Sequence, residues 1–181
     1  VSVGQVLTLV LAAVLVFWML GAYNRLVRLR KAIAMAWAQV EAPLQVRAEV
    51  VGGLIDELRQ PLASETATLD AAIEALRAAE LAARALRAVP VSADAAADLS
   101  SALGHLDTGL ARIVALCEVS QSLPSRAAVG QALQRLVASQ GDLAFGRQLF
   151  NAAAQSYNAA LSEFPTRLLA GLYRFGSAGR I

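Results

Sequence analysis

From Val6 to Ala22 the chain reads VLTLVLAAVLVFWMLGA, with Thr8 its only polar side chain and no charge before Arg25. A helix apolar on every face must be buried in protein or laid in lipid, where its backbone groups still pair internally. Counted from Val3 to Tyr23, the run has about 20 residues, enough to cross a hydrocarbon layer of about 30 Å. Trp18 and Tyr23 stand near its far end, where amphipathic rings favour the headgroup level. A secretory signal is the rival reading. It needs a basic stretch before a shorter apolar core and a small-residue cleavage site after it. Here nothing basic precedes the run, Leu20-Gly21-Ala22 is a poor site, and the helical pattern continues past it. Residues 1–23 are therefore expected to be a transmembrane anchor.

Arg25, Arg28, Arg30 and Lys31 follow the span at once. Positive charge is held on the cytoplasmic side. The expected topology is a single pass of the cytoplasmic (inner) membrane, with the N-terminus outside and the remainder in the cytoplasm. The same cluster suits anionic headgroups, so membrane lipid is an expected partner.

Beyond the anchor, Leu26, Leu29, Ile33, Trp37, Val40, Leu44, Val51, Leu54 and Leu58 step at helical spacing, broken only where Arg47 takes a seam position. This predicts a helix over 24–59 continuous with the anchor, kinked at Pro43 and soft at Gly52-Gly53. Gln60-Pro61 ends it. A second helix over 64–89 is expected, capped by Ser64 and buried along Leu69, Ile73, Leu76, Leu81 and Leu86. A third, over 92–122, is capped by Ser92 and buries Leu99, Leu103, Leu106, Leu110, Ile113, Leu116 and Cys117. After Leu123-Pro124 a fourth, over 125–164, carries Val129, Leu133, Leu136, Leu143, Phe150, Tyr157, Leu161 and Phe164. Short proline-bearing loops join antiparallel neighbours. The fold class expected is all-α: an N-terminal transmembrane helix continuous with an antiparallel up-down-up-down four-helix bundle of long helices, the bundle covering 24–165.

Residues 166–181 form an apolar-basic tail with no acidic residue after Glu163. In such a bundle the fourth helix returns toward the membrane. Arg167, Leu168, Leu172, Arg174 and Phe175 are then expected at the interface, beside Trp18, Tyr23, Arg25, Arg28, Arg30 and Lys31. The alternative is a tail packed on the first helix near Tyr23 and Leu26, and the two readings can coexist.

Composition removes most chemistry. Hydrophobic residues make up 57% and mean hydropathy is +0.52, with alanine dominating the excess; alanine is the best helix former. The net charge of +2 comes without a basic stripe interleaved with aromatics, so nucleic acid is not an expected partner. Cys117 stands alone, which excludes an internal disulfide. It lies about three turns from His105, too far for a nucleophile–base pair. Cys117 reads as a small core residue and His105 as a bundle-edge residue. Neighbours of His105 at three and four residues are Ala102, Thr108, Ser101 and Gly109, so it has no local metal co-ligand. Glycine-rich phosphate loops are missing, and Gly141 and Gly146 read as close-packing points. No catalytic, metal-binding or cofactor-binding residue is assigned, no cofactor is expected, and the chain is not read as an enzyme.

Two segments carry a resemblance. The first is Tyr23-Asn24-Arg25-Leu26-Val27-Arg28-Leu29-Arg30, followed by Ala36-Trp37. The second is Phe150-Asn151-Ala152 with Tyr157-Asn158, then Phe164-Pro165 and Ala170-Gly171-Leu172. In this order behind an anchor, the chain resembles the LemA family of bacterial single-span membrane proteins. Family-motif positions are Tyr23, Asn24, Leu26, Trp37, Asn151, Tyr157, Asn158, Phe164, Pro165 and Gly171. The resemblance covers about a third of the chain, and residues 60–124 have no part in it. It departs where the family carries a D-L-I-P-N-L run in the first helix; here Val46 to Leu54 reads VRAEVVGGL. The resemblance implies a helical, membrane-anchored protein of a family with no established enzymatic activity.

The function expected is a non-enzymatic membrane-anchored scaffold or adaptor with protein partners, self-assembly being a variant of it. The alternative is an accessory subunit of a membrane protease or peptidase complex.

Overall fold

The structure, a computed structural model, describes residues 2–119, 126–164, 166–173 and 175–181, with the backbone alone for 126, 128, 169 and 172. The expected ends of the third and fourth helices at 122 and 125, Leu123-Pro124, Pro165 and Arg174 lie outside the described residues. Every described element is helical: α1 (Val3–Leu58), a 3-10 turn (Ala63–Glu65), α2 (Thr66–Ala88), α3 (Ala93–Val119), α4 (Arg126–Ser162) and α5 (Thr166–Tyr173).

α1 is one helix of 56 residues, about 84 Å long at 1.5 Å per residue. Ser2 opens it: its hydroxyl accepts from the Gln5 N–H, and the Gln5 side-chain carbonyl accepts from the Ser2 N–H. Residues 3–21 are exposed on every face. Their apolar stretch has a mean hydropathy of 2.4 and no part of it buried against protein, which makes it a candidate membrane span. From Ala22 onward the same helix turns a face into the core, burying Leu26, Ile33, Trp37, Val40, Val51 and Leu54. The helix passes through Pro43 and Gly52-Gly53 without a break.

α4 lies along α1, and α2 lies along α3. α1 and α4 run in opposite directions: Arg25 meets Glu163, Trp37 meets Phe150, and Gln39 meets Gly146. The last contact is the tightest. A Cβ on Gly146 would collide with the Gln39 carbonyl oxygen and lie 2.7 Å from its carbon. The carbonyl of Gln39 is also the one that Pro43, four residues on, cannot bond, because proline has no N–H. Glycine lets Cα hydrogens face that oxygen, a weak but favourable contact. The α2–α3 pair is close for another reason. Ala72, Ala79 and Ala82 of α2 and Ala95, Ala96 and Ala102 of α3 are buried, so small side chains form the seam. Trp37 is 4% exposed, its ring edge-on to Phe150 at 6.1 Å and 75°.

Three expectations need correction. Ser64 does not cap α2: it lies within the 3-10 turn, neither helix start there has a side-chain cap, and Glu65 N–H is already bonded to the Leu62 carbonyl at 2.9 Å. By contrast, Ser92 does cap α3, its hydroxyl accepting from Ala95 N–H at 3.1 Å. Leu81 is not in the α2 stripe and is 67% exposed. The buried register follows the alanines, and Leu81 stands about 200° round from Ala79. Phe164 is 69% exposed and lies past the end of α4, its ring edge-on to Trp18 at 4.9 Å.

Trp37→Ala is expected to cost about 3–5 kcal/mol in denaturant unfolding of the detergent-solubilised chain. Gly146→Ala should lower the melting temperature, since its Cβ meets backbone. Gly141→Ala, with nothing within 4 Å of the added atom, should instead stabilise by about 0.5–1 kcal/mol by removing a helical glycine. Equal effects from the two glycine variants would show that α1 and α4 do not cross closely at Gly146.

Candidate functional site

α5 packs on both α1 and α4. Its end is closed by Phe175 N–H donating to the Ala170 carbonyl at 3.0 Å. The Phe175 ring sits among Tyr23 and Tyr173, with the Arg30 guanidinium 5.7 Å from its centroid. The expected interface residues thus gather at one end of the molecule. Arg25 is paired with Glu163 at 2.5 Å, Trp18 with the Phe164 ring, and Tyr23 with Tyr173. Arg28, Lys31, Arg167 and Leu168 are exposed nearby in sequence. Arg174 and the Leu172 side chain lie outside the described residues. Of the two tail readings, packing against α1 at Tyr23 is observed.

After Phe175 the chain runs without regular structure to Ile181, and α4 grips it. Asn158 donates its amide N–H to the Ala178 carbonyl at 2.9 Å and accepts from the Ala178 N–H at 2.7 Å. Asn151 repeats the pair on Ile181, at 2.8 and 2.9 Å. Tyr157 donates its hydroxyl to the Gly176 carbonyl at 3.3 Å. The spacing explains why this works. Seven residues of helix advance about 10.5 Å, and three residues of extended chain advance about 10 Å, so two asparagines seven apart meet every third residue of a tail. An asparagine side chain offers one donor and one acceptor side by side, which matches the N–H and C=O of one residue. The other wall is the start of α3. A Cβ on Gly179 would lie 2.6 Å from the Ala96 Cβ and 2.8 Å from the Ala93 Cα, so only glycine fits. Ala178 is 5% exposed. The tail is therefore wedged in a groove between α3 and α4. Burial pushes the Tyr157 hydroxyl pKa up, partly opposed by the Arg30 charge.

Beside Asn151 and Arg180 lies a cavity of about 700 Å³. α3 lines it with Leu103 and Asp107, α4 with Gln140, Arg147 and Gln148, and the tail with Arg180. Its floor is Arg47 of α1, only 3% exposed, whose guanidinium donates to the Asp107 carboxylate. The residue that breaks the α1 seam in the sequence thus sits inside the molecule. Arg47 Nε and Arg147 Nε are both buried without a hydrogen-bond partner.

The motif positions now have places. Leu26 and Trp37 are core residues, Asn24 and Gly171 are exposed, and Asn151, Tyr157 and Asn158 are the clamp. A family model described as the LemA family matches residues 36–179. The chain belongs to the LemA family. The matched span includes the clamp, the groove and most of the tail, and begins within α1, so Tyr23 to Arg30 lies before it. No curated protein matches the chain. Elsewhere, His105 is exposed, and Cys117 is half-buried with its thiol pKa raised by burial. Among the described residues no cluster of histidine, cysteine and carboxylates could hold a metal.

Sequence reasoning picked out Asn151, Tyr157 and Asn158 as motif residues without their task, and gave Asp107, Arg147 and Arg180 no role. The legible signal was the seven-residue spacing of two asparagines ahead of a Gly-Ser-Ala-Gly segment.

Asn158→Ala should raise hydrogen exchange at residues 176–181 about tenfold or more, the equivalent of one lost hydrogen bond, while α1 and α4 stay protected. Unchanged exchange there would remove the clamp. A second outcome concerns pH. Because its pKa is raised, folded Tyr157 holds its proton more tightly than the unfolded chain does. Its contribution is full below the unfolded value of about 10 and is lost as pH rises through the folded value. Alkaline release of the tail, read by the same exchange, should be blunted in Tyr157→Phe.

Proposed function

We propose that this LemA-family chain is a non-enzymatic membrane-anchored scaffold or adaptor. One observation carries the reading: α1 is an uninterrupted helix whose first part is apolar and unburied and whose remainder is the spine of the core. A rod built this way holds a folded body at a fixed distance and orientation from a lipid surface. The four long helices run up-down-up-down, and the body stands on the cytoplasmic side of a bacterial inner membrane, where Arg25, Arg28, Arg30 and Lys31 favour it. α5 then lies at the leaflet surface, with exposed Leu168 and Tyr173 toward lipid and Arg167 toward phosphates. Self-assembly is supported by the outer face of the α1–α4 pair. There Val46 and Phe145 are exposed around a shared depression with Pro43.

A reporter fused after Ile181 is expected to behave as cytoplasmic, and protease added outside spheroplasts should leave the body uncut. Digestion from outside would reverse the topology. Affinity purification with native lipids should recover specific proteins; recovery of the chain alone, without a second copy, would remove the adaptor role.

A further inference from the structure

Away from the core, α1 and α4 each carry a second stripe at helical spacing. On α1 it steps through Ala38, Ala42, Val46 and Glu49, and on α4 through Arg135, Ala138, Asp142 and Phe145, all of them exposed. Between the two stripes lies a depression of about 440 Å³. Levels along the pair follow from the contact of Gln39 with Gly146. Phe145, one residue before Gly146, is level with the stretch between Ala38 and Ala42. Seven residues from the contact in each helix, Val46 is level with Ser139 and so with its neighbour Ala138. Ten residues on in α1 and eleven back in α4, Glu49 is level with Arg135. Neither Glu49 nor Arg135 has an ion-pair partner among the described residues. At each level, therefore, a large side chain on one helix stands beside small ones on the other, or a charge beside its opposite.

We infer that this face is a dimer interface whose occupant is a second copy of the chain, related by a two-fold axis along the membrane normal. The inference rests on the membrane-anchored reading and deepens its self-assembly variant by giving it a face, an axis and a register. Two chains anchored in one bilayer have their α1 helices running the same way, and a two-fold along that direction leaves every residue at its own level. An axis passing through the depression sets α1 of each copy against α4 of the other. The partner's Phe145 then enters the space over Ala38 and Ala42, Val46 meets the partner's Ala138, and Glu49 meets the partner's Arg135, each contact made twice. The complementarity is thus complementarity to itself, which an unrelated partner would have to match by accident. From Ala38 to Glu49 the face is only about 17 Å long, and anchoring compensates by concentrating both copies in one plane. Asp142 is the charge left unanswered, because the same axis brings the partner's Asp142 to its level.

The test is Förster transfer between donor- and acceptor-labelled copies of the full chain in phosphatidylethanolamine–phosphatidylglycerol vesicles. The dye is carried by Glu74→Cys, an exposed position on α2, in a Cys117→Ser background. Transfer should rise linearly with acceptor fraction, as for a pair. Glu49→Arg alone and Arg135→Glu alone each replace two ion pairs by two like-charged contacts, which should weaken association about tenfold. Donor-labelled Glu49→Arg mixed with acceptor-labelled Arg135→Glu should restore transfer, since every contact between those two copies is again one of opposite charges. Rescue by mixing cannot come from a pairing inside one chain or from misfolding of either variant. Phe145→Ala should lower transfer with the melting temperature unchanged, and Asp142→Asn should raise it. Absence of transfer, transfer that curves with acceptor fraction as in larger assemblies, charge variants that associate normally, or a mixture that stays dissociated overturns the inference. A chain that pairs in this way but recovers no other protein from membranes keeps the interface and loses the adaptor role; a monomer that recovers partners does the reverse.

Discussion

Where α1 and α4 cross, two departures from regular helix chemistry meet. Pro43 leaves the Gln39 carbonyl without its helical donor, and Gly146 removes the side chain that would otherwise strike that carbonyl. Each would weaken an isolated helix. Together they let the two longest helices approach backbone to backbone, and the rest of the molecule is arranged around that approach. It sets the register that brings Trp37 against Phe150 and Arg25 against Glu163. It also ends α4 beside the apolar segment of α1, so α5 and the tail turn back there. α2 and α3 form a second pair, held by alanines, that closes over the α1 face left by α4.

The tail depends on that register at one remove. The backbones of α3 and α4 stay apart among the described residues, and residues 176–181 fill part of the space between them. Side-chain amides do this better than apolar packing would. A Gly-Ser-Ala-Gly segment has little apolar surface to bury, so its ordering must be offset by hydrogen bonds to its backbone. Small residues are demanded from the other side as well, since the Gly179 position has no room for a Cβ. Polar grip and small size are two answers to one problem: seating an extended chain between two helices.

Much of the architecture could be read from spacing alone. The seam of α1, the continuity of its apolar segment with the core helix, the breaks at Pro61 and Pro90 and the Ser92 cap follow from local chemistry. The failures share a cause. Leu81 and Ser64 were placed by residue type, but the α2 register was set by alanines, which carry no contrast in an alanine-rich chain, and the turn before α2 satisfied its own donors. The site was harder to read because it is assembled from α1, α3, α4 and the tail. Arg47 looked like a fault in a stripe until Asp107, 60 residues away, supplied its partner. Asn151 and Asn158 stood out as a motif, yet their role requires a strand-like tail to return along α4, and no local pattern announces that.

Stability is not shared evenly along this chain. α1 and α4 are tied by an apolar interface, whereas residues 176–181 are held by side-chain hydrogen bonds and one buried alanine. Segments of that kind open at lower free energy than the core. Opening of the tail frees the side-chain amides of Asn151 and Asn158. The same segment begins at Phe175, packed with Tyr23 and Arg30 at the apolar end of α1. A ligand that prefers the tail in place, or one that prefers it released, therefore biases contacts at both ends of one short peptide. The sign of that bias is set by differential affinity for the seated and the released tail.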